Sequence, residues 1–152
     1  MSSKMPAPPP VSLGFLINDV ARLFRRNFNR RVQKLDLTQA QWQILAHVSR
    51  NEGMRQSQLA EILELQPISV GRLIDRMQAA GWIDRRPDPS DRRAFKLFLT
   101  DKATPILEQM RSYSGDMHKE VLQEISNEDE QLLLALLTRI RENLIQSSDT
   151  SP

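Results

Sequence analysis

Between Ser12 and Leu35 the apolar residues Leu13, Leu16, Ile17, Val20, Leu23, Phe24, Phe28, Val32 and Leu35 return at steps of three and four, the period of one helical face. Arg22, Arg25, Arg26, Arg30 and Lys34 hold the opposite face, and Asp36 and Leu37 interrupt the pattern. The spacing predicts a long amphipathic first helix. A second helix opens at Thr38, a good N-cap. Gln41 stands three positions on as the other half of a capping box, and Leu37 and Trp42 occupy the positions of a hydrophobic staple. Trp42, Leu45 and Val48 continue an inward face, and Gly53 offers a stop nearby.

Leu59, Ile62 and Leu63 mark a short third helix, and Glu64 to Gln66 a tight connection. Pro67 suits the first turn of a fourth helix, where its missing N–H is harmless. Val70, Leu73, Ile74 and Met77 then form one apolar stripe. Two short helices joined by three residues have the form of a helix-turn-helix. Gly81 ends the fourth helix. Trp82 and Ile83 open a strand, Pro87 to Arg93 make a turn, and Ala94 to Leu99 return with Phe95, Leu97 and Leu99 alternating.

A fifth helix is expected from Thr100 or Asp101 to about Ile125, with Pro105 costing a backbone hydrogen bond or causing a bend. Ser126 caps a sixth, with Asp129 at the capping-box distance and a stripe of Leu133, Leu136, Leu137, Ile140 and Leu144. The predicted fold is mainly α, with six helices and a small β-hairpin between the fourth and fifth. Residues 1–11, rich in proline, read as a disordered tail, and residues 147–152 as a frayed end. A single domain over 12–146 remains, in which 12–35 and 100–146 flank a lobe at 38–99.

Composition works mainly by exclusion. The chain has no cysteine, which removes disulfides, thiolate metal sites and thiol redox chemistry and fits a cytoplasmic protein. No apolar run approaches the ~18 residues of a membrane span, and the proline-rich start lacks the apolar stretch of a signal peptide. His47 and His118 are the only histidines, and neither has a carboxylate or second histidine at ligand spacing. Glu128 to Glu130 suit the first turn of a helix, where they complement its dipole. There is no phosphate-binding loop, zinc spacing or nucleophile elbow. No enzyme, metal or cofactor is expected.

Charge adds direction. The formal net charge is +2, but residues 11–35 carry six cations against one anion, and residues 100–152 five cations against ten anions. Most unusual is the hairpin, where Arg85 and Arg86 precede the tip and Arg92 and Arg93 follow it. Four like charges on one short turn repel each other and add nothing to a core, so they imply an anion outside. With the stripe of the fourth helix facing inward, Ile68, Ser69, Gly71, Arg72, Asp75 and Arg76 face out. In a helix-turn-helix the second helix enters the major groove. Ser69 and Arg72 would reach deepest, Arg72 as a bidentate donor to guanine and Ile68 against a thymine methyl. Gly71 would let the backbone approach closely, and Arg76 would meet phosphate. Gln56 and Ser57 can offer backbone N–H groups to phosphate. The hairpin arginines suit the adjacent minor groove. The competing reading is a protein-interaction module, since Arg72, Arg76, Arg92, Arg93 and Lys96 are opposed by Asp75, Asp88 and Asp91.

The segments LTQAQWQIL, SQLAEIL, RLIDRMQAAGWIDRRPDP and above all DPSDRRAFKLFLT make the chain resemble the multiple antibiotic resistance regulator (MarR) family of winged helix-turn-helix proteins, over roughly Ser12 to Leu144. The resemblance implies a homodimer paired through the first and last helices. Apolar stripes too wide for a thin monomer agree: Leu13, Leu16, Ile17 and Val20, and Leu133, Leu136, Leu137 and Ile140. It implies a wing whose Arg93 enters the minor groove, with Asp91 holding the wing and Arg92 near phosphate. It implies a regulator, most often a repressor, of a pseudo-palindromic double-stranded DNA operator. A small aromatic or phenolic acid would release it from a pocket lined by Arg25, Phe28, Trp42 and His47. Two departures stand out: Ser90 where the family often has a third arginine, and Ala103 where glycine is common.

Overall fold

The computed structural model describes residues 10–149. The expected tail falls largely on residues 1–9, outside the described residues, and Pro10 and Val11 are exposed and without regular structure. The six helices are α1 (Leu13–Val32), α2 (Gln39–Arg50), α3 (Gln56–Leu63), α4 (Pro67–Ala79), α5 (Thr104–Val121) and α6 (Asn127–Asp149). The strands are β1 (Met54–Arg55), β2 (Ile83–Asp88) and β3 (Asp91–Leu99). By Cα packing the chain divides into two compact units, Met1–Ser114 and Gly115–Pro152.

Local chemistry explains most of the element ends in the first unit. Ser12 Oγ accepts the Phe15 N–H at 3.2 Å to start α1. A 3-10 turn, Gln33–Leu35, follows, and Asp36 closes it at a left-handed φ of 54°. The capping box of α2 is reciprocal: the Gln41 N–H donates to Thr38 Oγ1 at 3.2 Å, and the Thr38 N–H to Gln41 Oε1 at 3.0 Å. Such a cap stabilises a helix by about 1 kcal/mol. Pro67 stands in the first turn of α4 as expected. Gly81, at φ 82°, makes the left-handed turn into β2.

The core of this unit gathers one face from each element. Val32, Ile44, Leu45, Val48, Leu59, Val70, Ile74, Ile83 and Leu97 are buried together, with Phe28, Trp42 and Leu73 packed against them. Leu37 joins that cluster, against which Trp42 also packs.

Three expectations change. The sheet has three strands, in the order β1-β3-β2, because Met54 and Arg55 pair antiparallel with Leu97 and Lys96. The turn of the hairpin is only Pro89 and Ser90, since β2 runs through Pro87 and Asp88 and β3 begins at Asp91, with an irregularity between Pro87 and Asp88. A proline is tolerated there because β2 is an edge strand with one side unpaired. The fifth helix is shorter at both ends. A 3-10 turn, Asp101–Ala103, precedes it, with Ala103 fully buried. Pro105 lies in the first turn of α5, where no intrahelical bond is lost and no bend is needed.

In the second unit, Glu124 adopts a left-handed φ of 63° between α5 and α6. Ser126 caps α6 by accepting the Asp129 N–H at 3.1 Å, and its own hydroxyl donates to the Asp129 carboxylate at 2.9 Å. That second bond replaces the reciprocal half of a box. His118 has a carboxylate partner that its sequence neighbourhood does not reveal: its Nε2 is 3.1 Å from Glu130 Oε1. Helix α6 continues through Ser147, Ser148 and Asp149, so only residues 150–152 of the expected frayed end fall outside the described residues. No described helix is long and apolar enough to cross a membrane.

Candidate nucleic-acid interface

Helix α4 presents the side chains that its stripe predicts. Val70, Ile74 and Met77 are buried, and Ile68, Ser69, Arg72, Asp75 and Arg76 are exposed. Gly71 differs from expectation, because it faces the sheet and α3 and not open solvent. A Cβ at this position would stand 3.5 Å from Gln56 Nε2, and the Gly71 carbonyl accepts from Arg85 Nη2 at 3.3 Å.

The wing separates its arginines into two kinds. Arg92 and Arg93 are exposed on β3, and no ion pair or hydrogen bond joins their guanidinium groups to any described residue. The same holds for Arg72 and Arg76 on α4. Arg85 and Arg86, expected at the tip with the others, are neutralised internally. Arg85 donates from Nη1 to Asp75 at 2.8 Å and from Nε to Gln56 Oε1 at 3.0 Å, and lies 5.4 Å from the centre of the Phe95 ring. Arg86 pairs with Asp84 at 2.9 Å and stacks 4.0 Å over Phe98. Arginines that look equivalent in sequence thus divide by strand register. Arg85 lies opposite Leu97, and Arg86 opposite Lys96 on the other face. Half-buried Lys96 sits between Arg55 and Arg86 in one cross-strand row.

The wing tip is held by an acid that sequence reasoning did not single out. Asp88 is 3% exposed and is the buried charged residue among those described. It accepts the Ser90 N–H at 2.9 Å, the Ser90 hydroxyl at 2.8 Å and Arg55 Nε at 2.8 Å. The two Ser90 bonds lower its pKa to about 2, against the opposing effect of burial and with further help from Arg55. Ser90, which replaces an expected arginine, is therefore part of the anchor. Asp91 has a smaller role, accepting the Arg93 N–H at 3.0 Å. The breaker run alone could not separate these roles, since Asp88 meets its cation through Arg55, 33 positions away.

Gln56 and Ser57 open α3 beside the wing. An open recess of about 310 Å³ brings both together with Pro67, Asp91 and Arg93. The backbone amides in the first turn of α3 lack intrahelical partners by construction, and that turn lies on the recess. One concave face thus collects four of the expected contact residues, Gln56 and Ser57 from α3 and Asp91 and Arg93 from the wing, with Pro67 of α4 beside them.

The residues expected to line an effector pocket are positioned on α1 and α2. Arg25 is exposed, whereas Phe28 and Trp42 meet edge to face at 4.7 Å and pack on the core. The indole N–H of Trp42 donates to Asn29 at 2.6 Å. His47 is half-buried, and burial, followed by the nearby charge of Arg50, lowers its pKa. The expected dimer residues Leu13, Leu16, Ile17 and Val20 on α1 are exposed. So are Leu133, Leu136 and Leu137 on α6, with Ile140 half-buried. Among the described residues no group of three or more His, Asp or Glu side chains could hold a metal ion.

Residues 35–94 match the model of the MarR family. The chain is similar to wild-type MarR (apo form) from E. coli, with a TM-score of 0.72 and 28% identity over 88% of this chain and 98% of that one. It is similar to the transcriptional regulator PA3341, with a TM-score of 0.78 and 29% identity over 89% and 99%. A cysteine-to-serine mutant of E. coli MarR complexed with operator DNA is also similar, with a TM-score of 0.68 and 29% identity over 84% and 92%.

Proposed function

By its matched segment and its fold the chain belongs to the MarR family of transcriptional regulators, and from that premise we propose that it binds double-stranded operator DNA as a homodimer. In each subunit α4 enters the major groove, with Ser69 and Arg72 reading base edges, Ile68 against a thymine methyl and Arg76 on phosphate. Arg93 enters the neighbouring minor groove, with Arg92 and Lys96 beside the backbone and Asp91 bracing the strand. The first turn of α3 offers the Gln56 and Ser57 amides to a phosphate.

The carrying observation is the division of charge. The side chains of Arg72, Arg76, Arg92 and Arg93 have no ion-pair or hydrogen-bond partner among the described residues, while two of the three acids that oppose them in the sequence are paired with other arginines. Asp75 is paired with Arg85, and Asp88 with Arg55 and Ser90, whereas Asp91 accepts only a backbone amide and keeps its charge. The outward face is more cationic than its composition, which favours nucleic acid over a protein partner. A relative complexed with operator DNA supports the same reading.

Exposed apolar faces on α1 and on α6 support dimerisation, since patches of this kind mark interaction surfaces. A two-fold pair reads a near-palindrome with half-sites about 10 bp apart, one turn of DNA. Repression, with release by a small aromatic acid at Arg25, Phe28, Trp42 and His47, completes the proposal. Phe28 and Trp42 meet at 4.7 Å and would supply rings, Arg25 a cation and His47 an imidazole, the chemistry such an acid needs.

Fluorescence anisotropy on duplexes from the region upstream of the protein's own gene tests the DNA reading. Affinity is expected to fall steeply with salt, because neutralised phosphates release counterions. Arg93→Ala should weaken binding to all sequences, and Arg72→Ala should cost about 1–3 kcal/mol and also relax base preference. Binding indifferent to salt, or an Arg93→Ala variant equal to the parent, would overturn it. Titrating a hydroxybenzoate into the complex tests the release step.

A further inference from the structure

Arg85 lies in the wing, yet all of its side-chain hydrogen bonds leave the wing. Its guanidinium donates to Gln56 Oε1 at the start of α3, to the Asp75 carboxylate and to the Gly71 carbonyl on α4. Its face rests over the Phe95 ring of β3. The side chain is only 17% exposed, so it is packed into the junction. One planar cation therefore joins both helices of the helix-turn-helix to both long strands. A lysine could not do this, because it offers a point charge and lacks the planar array of donors. A second tie crosses the other way, from Arg55 at the start of α3 to Asp88 and Ser90 at the wing tip.

We infer that Arg85 is a positioning residue for DNA reading: it fixes the wing against the recognition helix so that both grooves are addressed by one rigid body. The inference rests on the proposed DNA binding and deepens it. The donors of Arg85 are taken up by Gln56, Asp75 and Gly71, so the proposed binding mode assigns it no phosphate. Its contribution is preorganisation: ordering the wing before binding removes a cost that would otherwise be met on association. A wing free to swing would still attract DNA through Arg92 and Arg93, but it would no longer require the operator.

Two measurements on the full chain separate this inference from the reading beneath it. In anisotropy, Arg85→Met and Arg85→Lys should lose about tenfold or more of the preference for operator over a scrambled duplex of equal length, comparable to one lost base contact. The slope of binding against salt should stay that of the parent, since no phosphate contact is removed. A merely destabilising role would lower the melting temperature without that split. The second measurement needs no DNA. The chain has no cysteine, so Gln78→Cys and Pro89→Cys place nitroxides on α4 and the wing tip alone. In subunits diluted with unlabelled chain, the distance distribution should be narrow in the parent and broad in Arg85→Met. If Arg85→Met does not fold, Gln56→Ala with Asp75→Ala removes two acceptors and should broaden it likewise. Equal widths, or folded Arg85 variants that keep the parent's preference, overturn the inference. A parent that is rigid yet prefers no operator sinks the DNA reading, and with it any positioning role in it.

Discussion

Asp88 is the residue on which the wing tip turns. Its carboxylate faces a backbone amide, a hydroxyl and a guanidinium at once, so its charged form is favoured and its pKa falls from 3.8 to about 2. A group whose pKa is lower folded than unfolded contributes stability that is complete above its unfolded value and lost as pH falls through the folded one. The wing tip should therefore persist at pH 3 and loosen near pH 2. The Ser90 amide resonance in NMR is the probe, expected to move only near that lower pH. Asp88→Asn retains an acceptor for Ser90 and should abolish the titration while leaving the tip ordered. Asp88→Ala strands Arg55 and Ser90 together, and a tip that stays ordered in that variant would contradict the assigned role.

At the level of elements, Gly71 separates two accounts of α4 in its proposed role as recognition helix. Were the glycine needed for close approach to DNA, a methyl group would obstruct binding. The structure instead turns it toward Gln56, at ordinary contact distance for a Cβ. Gly71→Ala should then raise stability by about 0.5–1 kcal/mol, the helix-propensity difference, with operator affinity within about twofold of the parent's, well inside the cost of a lost base contact. Thermal denaturation and anisotropy on one preparation check both halves. Helices were legible because their signals are local: three- and four-residue periodicity, Thr38 with Gln41, Pro67 at a first turn. Strand β1 was not, since Met54 and Arg55 become a strand only by pairing with Leu97 and Lys96. Nor was the length of the turn, because breakers such as Pro87 can occupy an edge strand whose outer side needs no donor. The outward side chains of α4 followed from its stripe. The side-chain partners of Arg85 and the cation beside Asp88 lie 10 to 33 positions away, where no spacing rule reaches, and only the two bonds from Ser90 to Asp88 are local.

For the molecule as a whole, the decisive feature is apolar surface left uncovered on α1 and α6. Phe15 is 80% exposed and Leu136 52%, an unfavourable arrangement in water that the proposed pairing would relieve. Placing a charge there, as in Leu136→Glu, should weaken self-association roughly hundredfold, as juxtaposed like charges at a two-fold interface cost several kcal/mol. Sedimentation velocity over a dilution series is the check, and an unchanged dimer would show that other surfaces make the pair. A fold completed by the proposed pairing obeys mass action. Its apparent melting point should climb with protein concentration, and a cell holding few copies would keep part of the pool as short-lived single subunits, open to proteases and unable to span both halves of an operator.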